Sequence, residues 1–123
     1  MLFRSPKDLP KFVARFREIF ARHEVDGAYY GHCSVGCLHI RPAINLKTAR
    51  GLEQVRQIAD EITDLVVEFN GTISSEHGDG RARSPFLERM YGGKLMQAFR
   101  ELKRAFDPDN RSEERRVGKE CRL

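Results

Sequence analysis

Long apolar runs are missing from this 123-residue chain, so no segment reads as a membrane-spanning helix. The start, MLFRSPKDLPKF, has neither the apolar stretch nor the small-residue cleavage site of a secretory signal. Cytoplasmic residence is the default expectation. Cysteine is scarce: Cys33, Cys37 and Cys121 are odd in number and form no C-x-x-C pair. Free thiols in a reducing compartment are the simplest account, rather than a disulfide framework. A basic stripe interleaved with aromatics is also absent. Of the net charge of +4, two units sit in residues 111–123, where five Lys and Arg face three Glu. The rest of the chain is close to neutral, which argues against nucleic-acid binding. There is no internal repeat, no low-complexity linker and no glycine loop of the dinucleotide-binding type.

What is present reads as one domain or part of one, with 40% apolar and 33% charged residues. From Pro10 to about His23, the residues Leu9, Phe12, Val13, Phe16, Ile19 and Phe20 recur at helical steps, with Asp8 as a cap and Pro10 in the first turn. GAYYGH and CLHIRPAI read as two strands separated by glycine. The strongest helical pattern runs from Lys47 to Phe69 through Leu52, Val55, Ile58, Ile62, Leu65 and Val66, and Asn70-Gly71 suits a left-handed cap. TISS predicts a short strand leading into the loop EHGDGRAR; Ser84-Pro85 predicts a helix start. A last helix is expected from about Lys94 to Phe106, with Leu95, Phe99, Leu102 and Phe106 on one face and Asp107-Pro108 as the stop. The expected fold class is α+β, a small, mostly antiparallel sheet packed with helices.

His32 and His39 flank the segment between the two strands. Were Val35-Gly36 a two-residue turn, the histidines would oppose each other with Cβ atoms roughly 5 Å apart. Valine suits such a turn poorly, so a longer loop is equally open. Two histidines on a hairpin are commonly plain surface or core residues. Glu76-His77, placed before Gly78 and Gly80, strengthens another reading, because two imidazoles and a carboxylate form a familiar catalytic metal set.

Three segments carry a resemblance: YGHCSVGCLHIRP, GTISSEHGDGRARSPFLERMYG and AFRELKRAFDPDN. In order and spacing, residues 5–110 resemble the C-terminal cap domain of the FAD-linked oxidases of the vanillyl-alcohol-oxidase superfamily. That group includes D-lactate, D-2-hydroxyglutarate and glycolate dehydrogenases. The variants in this chain look most similar to large forms that fuse the flavin module to an iron–sulfur module. The resemblance implies a fragment of an FAD-dependent oxidoreductase acting on a small D-2-hydroxy acid. The FAD-binding domain, and any iron–sulfur cluster, would lie outside residues 1–110. It implies His32, His39 and Glu76 as ligands of a divalent metal, zinc or manganese, His77 beside flavin and substrate hydroxyl, and Arg41 on the substrate carboxylate. Val35, Cys37, Ser34 and Ser75 depart from the pattern, which has Asp, Asn, Gly and Gly there. The alternative from another class is a stand-alone metal-binding or oligomerisation module without redox activity. Membrane association through electron-acceptor partners is left open.

Residues 111–121, RSEERRVGKEC, resemble letter for letter the in-frame translation of a common short-read sequencing adapter. Residues 111–123 are therefore expected to be a non-native tail, with the natural sequence departing near Asn110.

Overall fold

The computed structural model describes residues 6–111. The tail expectation for residues 112–123 lies outside the described residues. Two compact units divide the chain, one up to Met90 and one from Tyr91.

In the first unit a short 3-10 turn leads into α1 (Leu9–Arg22), which buries Leu9, Phe12, Phe16, Ile19 and Phe20. The apolar face expected from helical spacing is the buried one. Asp8 precedes the helix but makes no side-chain capping bond, its backbone already being helical (φ −85°, ψ −10°). At the other end Val25 N–H donates to Phe20 O at 2.9 Å and Glu24 N–H to Ala21 O at 3.2 Å, with Glu24 left-handed at φ 55°. This paired closure satisfies the last carbonyls and tucks Val25 into the core. The same device ends α2 (Ala49–Glu68). Gly71 N–H reaches Val66 O at 2.8 Å, Asn70 N–H reaches Val67 O at 2.9 Å, and Asn70 sits at φ 52°. The left-handed cap expected at Asn70-Gly71 is present.

The start of α2 lies two residues later than Lys47. Thr48 Oγ1 accepts from Gly51 N–H at 3.0 Å, a cap that takes up one of the orphan donors of the first turn. Ile58, Leu65 and Val66 face the core, while Leu52 in the first turn is 51% exposed. Thr63 is buried as well, its hydroxyl donating to Ala59 O at 2.7 Å.

Between the helices, β1 (Gly27–His32) and β2 (Cys37–Pro42) pair antiparallel as a two-stranded sheet. The linker Cys33–Gly36 is a 3-10 turn closed by Gly36 at φ 72°. It is the longer of the two connections considered above. The register pairs Tyr30 with His39 and His32 with Cys37, so the histidines are diagonal neighbours and not opposed. Leu38 and Ile40 turn toward the helices, and Tyr29 meets Phe16 and Phe20 edge-on or tilted at 6.1 Å. By strand alternation the opposite face carries Tyr30, His32, Cys37, His39 and Arg41.

TISS forms no strand. It contributes a single bridging residue at Thr72, whose hydroxyl turns back to Ser74 O at 2.7 Å. Hydroxyls that bond their own neighbouring backbone compete with a ladder, which explains the loss. The glycine-punctuated loop then winds into a short helix, α3 (Gly80–Arg83), and a 3-10 turn at Ser84–Phe86. Ser84 Oγ donates to Arg81 O at 3.1 Å instead of capping forward. The helix α4 (Leu87–Phe106) begins earlier than Lys94 and is broken at Gly92 (φ 72°, ψ 163°), a backbone region essentially restricted to glycine. Before the break, Arg89 bonds Asp60 Oδ1 at 2.9 Å and Asp64 Oδ1 at 3.0 Å on α2.

In the second unit Tyr91 and Phe99 meet edge-on at 6.0 Å. The apolar face expected there is exposed, Phe106 at 84%. The helix ends at Phe106 before Asp107-Pro108, as its composition predicts.

Candidate functional site

The outward face of the hairpin and the segment after α2 meet in a cluster of ionisable groups. His39 Nε2 lies 3.2 Å from Glu76 Oε2, and His32 Nε2 lies 3.6 Å from Glu76 Oε1. One donor atom from each of His32, His39 and Glu76 falls within 4.8 Å of the others. The imidazoles cross edge-to-face with ring centroids 6.0 Å apart. Diagonal pairing on a strand pair spaces side chains widely enough for one carboxylate to enter between them. Two imidazole nitrogens and a carboxylate oxygen at such separations fit a small divalent cation with room for further oxygen ligands.

His77 is drawn toward the same point. Its Nε2 is 3.8 Å from Glu76 Oε2 and its ring 5.9 Å from that of His39, while the side chain stays 75% exposed. Alongside lies a cavity of about 350 Å³, lined by Tyr30, His39, Arg41, Ser75, His77 and Arg83 among others. Tyr30 stacks on His39 at 5.2 Å and 19°, and the Arg41 guanidinium lies 5.6 Å from the centre of the Tyr30 ring. The phenol therefore orders both an imidazole and a cation. All five residues singled out in the sequence (His32, His39, Arg41, Glu76 and His77) fall in or beside this one locality.

Four further residues take part: Tyr30, Arg83, Cys37 and Ser75. Tyr30 was legible, since it precedes His32 by two residues and so shares its face. Arg83 donates to Gly78 O at 3.0 Å, closing the turn that follows Glu76 and His77; no spacing rule foretells that bond. Cys37 Sγ lies 3.0 Å from Ser75 Oγ and 3.7 Å from His39 Nε2. Two of the departures from the resembled pattern, Cys37 and Ser75, thus touch each other.

Residues 5–112 match the family described as FAD linked oxidases, C-terminal domain. The chain belongs to that family. It is 33% identical over 106 residues to a D-2-hydroxyglutarate dehydrogenase from Haemophilus influenzae, covering 86% of this chain and 10% of that protein. Glycolate oxidase subunit GlcD from Bacillus subtilis is 31% identical over 103 residues, covering 84% of this chain and 22% of the relative. A D-lactate dehydrogenase from Anaerostipes hadrus is 28% identical over 102 residues, with 82% and 22% covered. The chain spans about a tenth of the length of the curated D-2-hydroxyglutarate dehydrogenases it matches, 10% in each case. Among the described residues no helix is long and apolar enough to cross a membrane.

Proposed function

We propose that this chain is the substrate-positioning part of an FAD-dependent dehydrogenase of small D-2-hydroxy acids, of the lactate, 2-hydroxyglutarate or glycolate class. The observation that carries the reading is the convergence of His32, His39 and Glu76, within 4.8 Å, beside a cavity reached by His77 and Arg41. His32, His39 and Glu76 would hold a divalent cation, zinc or manganese, with donor types that suit either. When bound, the cation supplies Lewis acidity and the flavin supplies the hydride acceptor. The flavin-binding residues, and any iron–sulfur cluster, would lie outside residues 1–110.

The chain's own residues then have separate tasks. Arg41 fixes the substrate carboxylate in orientation through charge-assisted hydrogen bonds, its guanidinium steadied over Tyr30. His77 accepts the proton of the 2-hydroxyl as C2 is oxidised to a carbonyl and the hydride passes to the flavin, a general-base task common for imidazole. Glu76 and His39 place that proton acceptor by contact, at 3.8 Å and 5.9 Å.

The test is made in a full-length relative carrying the same residues. Alanine at the positions of His32, His39 or Glu76 should lower metal content and turnover together. Alanine for His77 should leave metal and flavin in place and slow flavin reduction by about 10²–10⁴-fold. Alanine for Arg41 should raise KM above all. Full metal occupancy in all three ligand variants would return His32 and His39 to ordinary hairpin residues. Unchanged reduction in the His77 variant would remove it from the mechanism.

A further inference from the structure

We infer that Cys37 and Ser75 form a latch that positions Glu76 for the cation; the inference rests on the cation reading above. Among the described residues, no ladder of backbone hydrogen bonds holds the stretch that carries Glu76. After the cap of α2 the chain makes one bridge at Thr72, bends through Ser75–His77 and turns at Gly78, whose φ is 70°. Such a segment leaves the direction of the next side chain free unless something fixes the backbone beside it. Ile73, 8% exposed, anchors it on the core side, and Ile73 N–H reaches Met90 Sδ at 3.4 Å. Toward the hairpin, the anchor adjacent to Glu76 is the 3.0 Å contact of Ser75 Oγ with Cys37 Sγ.

Cys37 is suited to receive it. It is 1% exposed, it pairs with His32 across the hairpin, and it stands two residues before His39 on the same face. A bond from this sulfur therefore refers Ser75, and Glu76 with it, directly to the strand pair that presents both imidazoles. Cys37 and Ser75 act through Glu76 and are positioning residues. The hydrogen bond, and not sulfur ligation, is their contribution.

Zinc affinity of the full chain, measured by competition against a chromophoric chelator, tests this, with circular dichroism to confirm folding of each variant. Ser75→Ala removes no ligand, yet should weaken zinc binding by about 10–100-fold, the usual effect of losing a group that orients a ligand. Cys37→Ser keeps a hydrogen-bonding group and should stay within a few-fold of the unaltered chain. Cys37→Ala should match Ser75→Ala, and the double alanine variant should be no worse than either alone, because both remove one bond. Unchanged affinity in Ser75→Ala, or additive losses in the double variant, would overturn the latch. So would a sulfur-to-metal charge-transfer band in the cobalt-loaded chain that vanishes in Cys37→Ser, which would make the sulfur itself a ligand. An unaltered chain that takes up no zinc overturns the cation reading itself, and the latch falls with it.

Discussion

A Cβ added at Gly31 would stand 2.2 Å from the Cys37 carbonyl oxygen and 3.0 Å from Leu38 Cα. Both are backbone atoms of the paired strand, so neither can swing aside as a side-chain tip would. Gly31→Ala should cost about 1–3 kcal/mol, as overpacked positions do. Because Gly31 lies between Tyr30 and His32, zinc binding should weaken in the same variant. Urea unfolding and zinc titration of the alanine variant check both halves, and an unchanged midpoint would mean that the strands can part without penalty. At this scale the hairpin face could be read from the sequence. Alternation from His39 places Cys37 and Arg41 beside it whatever the turn. The bond from Cys37 to Ser75 could not be read, because it joins residues 38 apart in sequence and depends on where an irregular segment comes to rest.

Helices α1 and α2 meet through side chains of two kinds. Phe12, at 0% exposure, packs edge-on to Phe69 at 5.5 Å and tilted to Phe16 at 5.7 Å. Phe12→Ala should lose about 3–5 kcal/mol, the transfer free energy plus the cavity left behind. That is most of the stability of a small domain, and calorimetry should show a large fall in Tm or no transition at all. Outside that core, Arg15 pairs with Glu68, and Glu61 receives Arg22 and His23, the latter at 2.6 Å. The hydrogen bond from His23, then that from Arg22, holds the Glu61 carboxyl below its ordinary 4.5 against an opposing effect of burial. A depressed carboxylate stabilises the fold fully above the unfolded value and ceases to do so as pH falls through the folded one. The chain should therefore lose stability on acidification below about pH 4.5, and Glu61→Gln should flatten that loss. At a pair this exposed the difference should stay below about 1 kcal/mol and shrink in high salt. Equal pH profiles for the two proteins, compared by thermal unfolding across the acid range, would assign the acid sensitivity to other carboxylates. Both α1 and α2 are visible as periodicity. Their caps at Glu24 and Thr48 are local chemistry that periodicity does not encode.

On the scale of the whole molecule, the chain matches a family of C-terminal domains and only 10% of the length of its D-2-hydroxyglutarate dehydrogenase relatives. Loaded with zinc and FAD and then dialysed against ligand-free buffer, it should keep about one zinc per chain and release flavin. Metal analysis and flavin absorbance of the dialysed protein decide this, and stoichiometric flavin would place its binding residues within these 123. Helical period, strand alternation and the left-handed Asn70 are local properties of the chain, and these the sequence by itself determined. The residue types at the site belong with them, since two imidazoles and a carboxylate limit the chemistry wherever they stand. Only the tertiary structure decided that His39 opposes Tyr30 and not His32, that TISS yields one bridge in place of a strand, and that Glu76 enters between the imidazoles. The first two turn on the 3-10 connection at Cys33–Gly36 and on the bond from the Thr72 hydroxyl to Ser74 O, while the entry of Glu76 depends on contacts between segments far apart in the chain. Such contacts form where packing of α1 and α2 leaves room, and no local pattern carries that information.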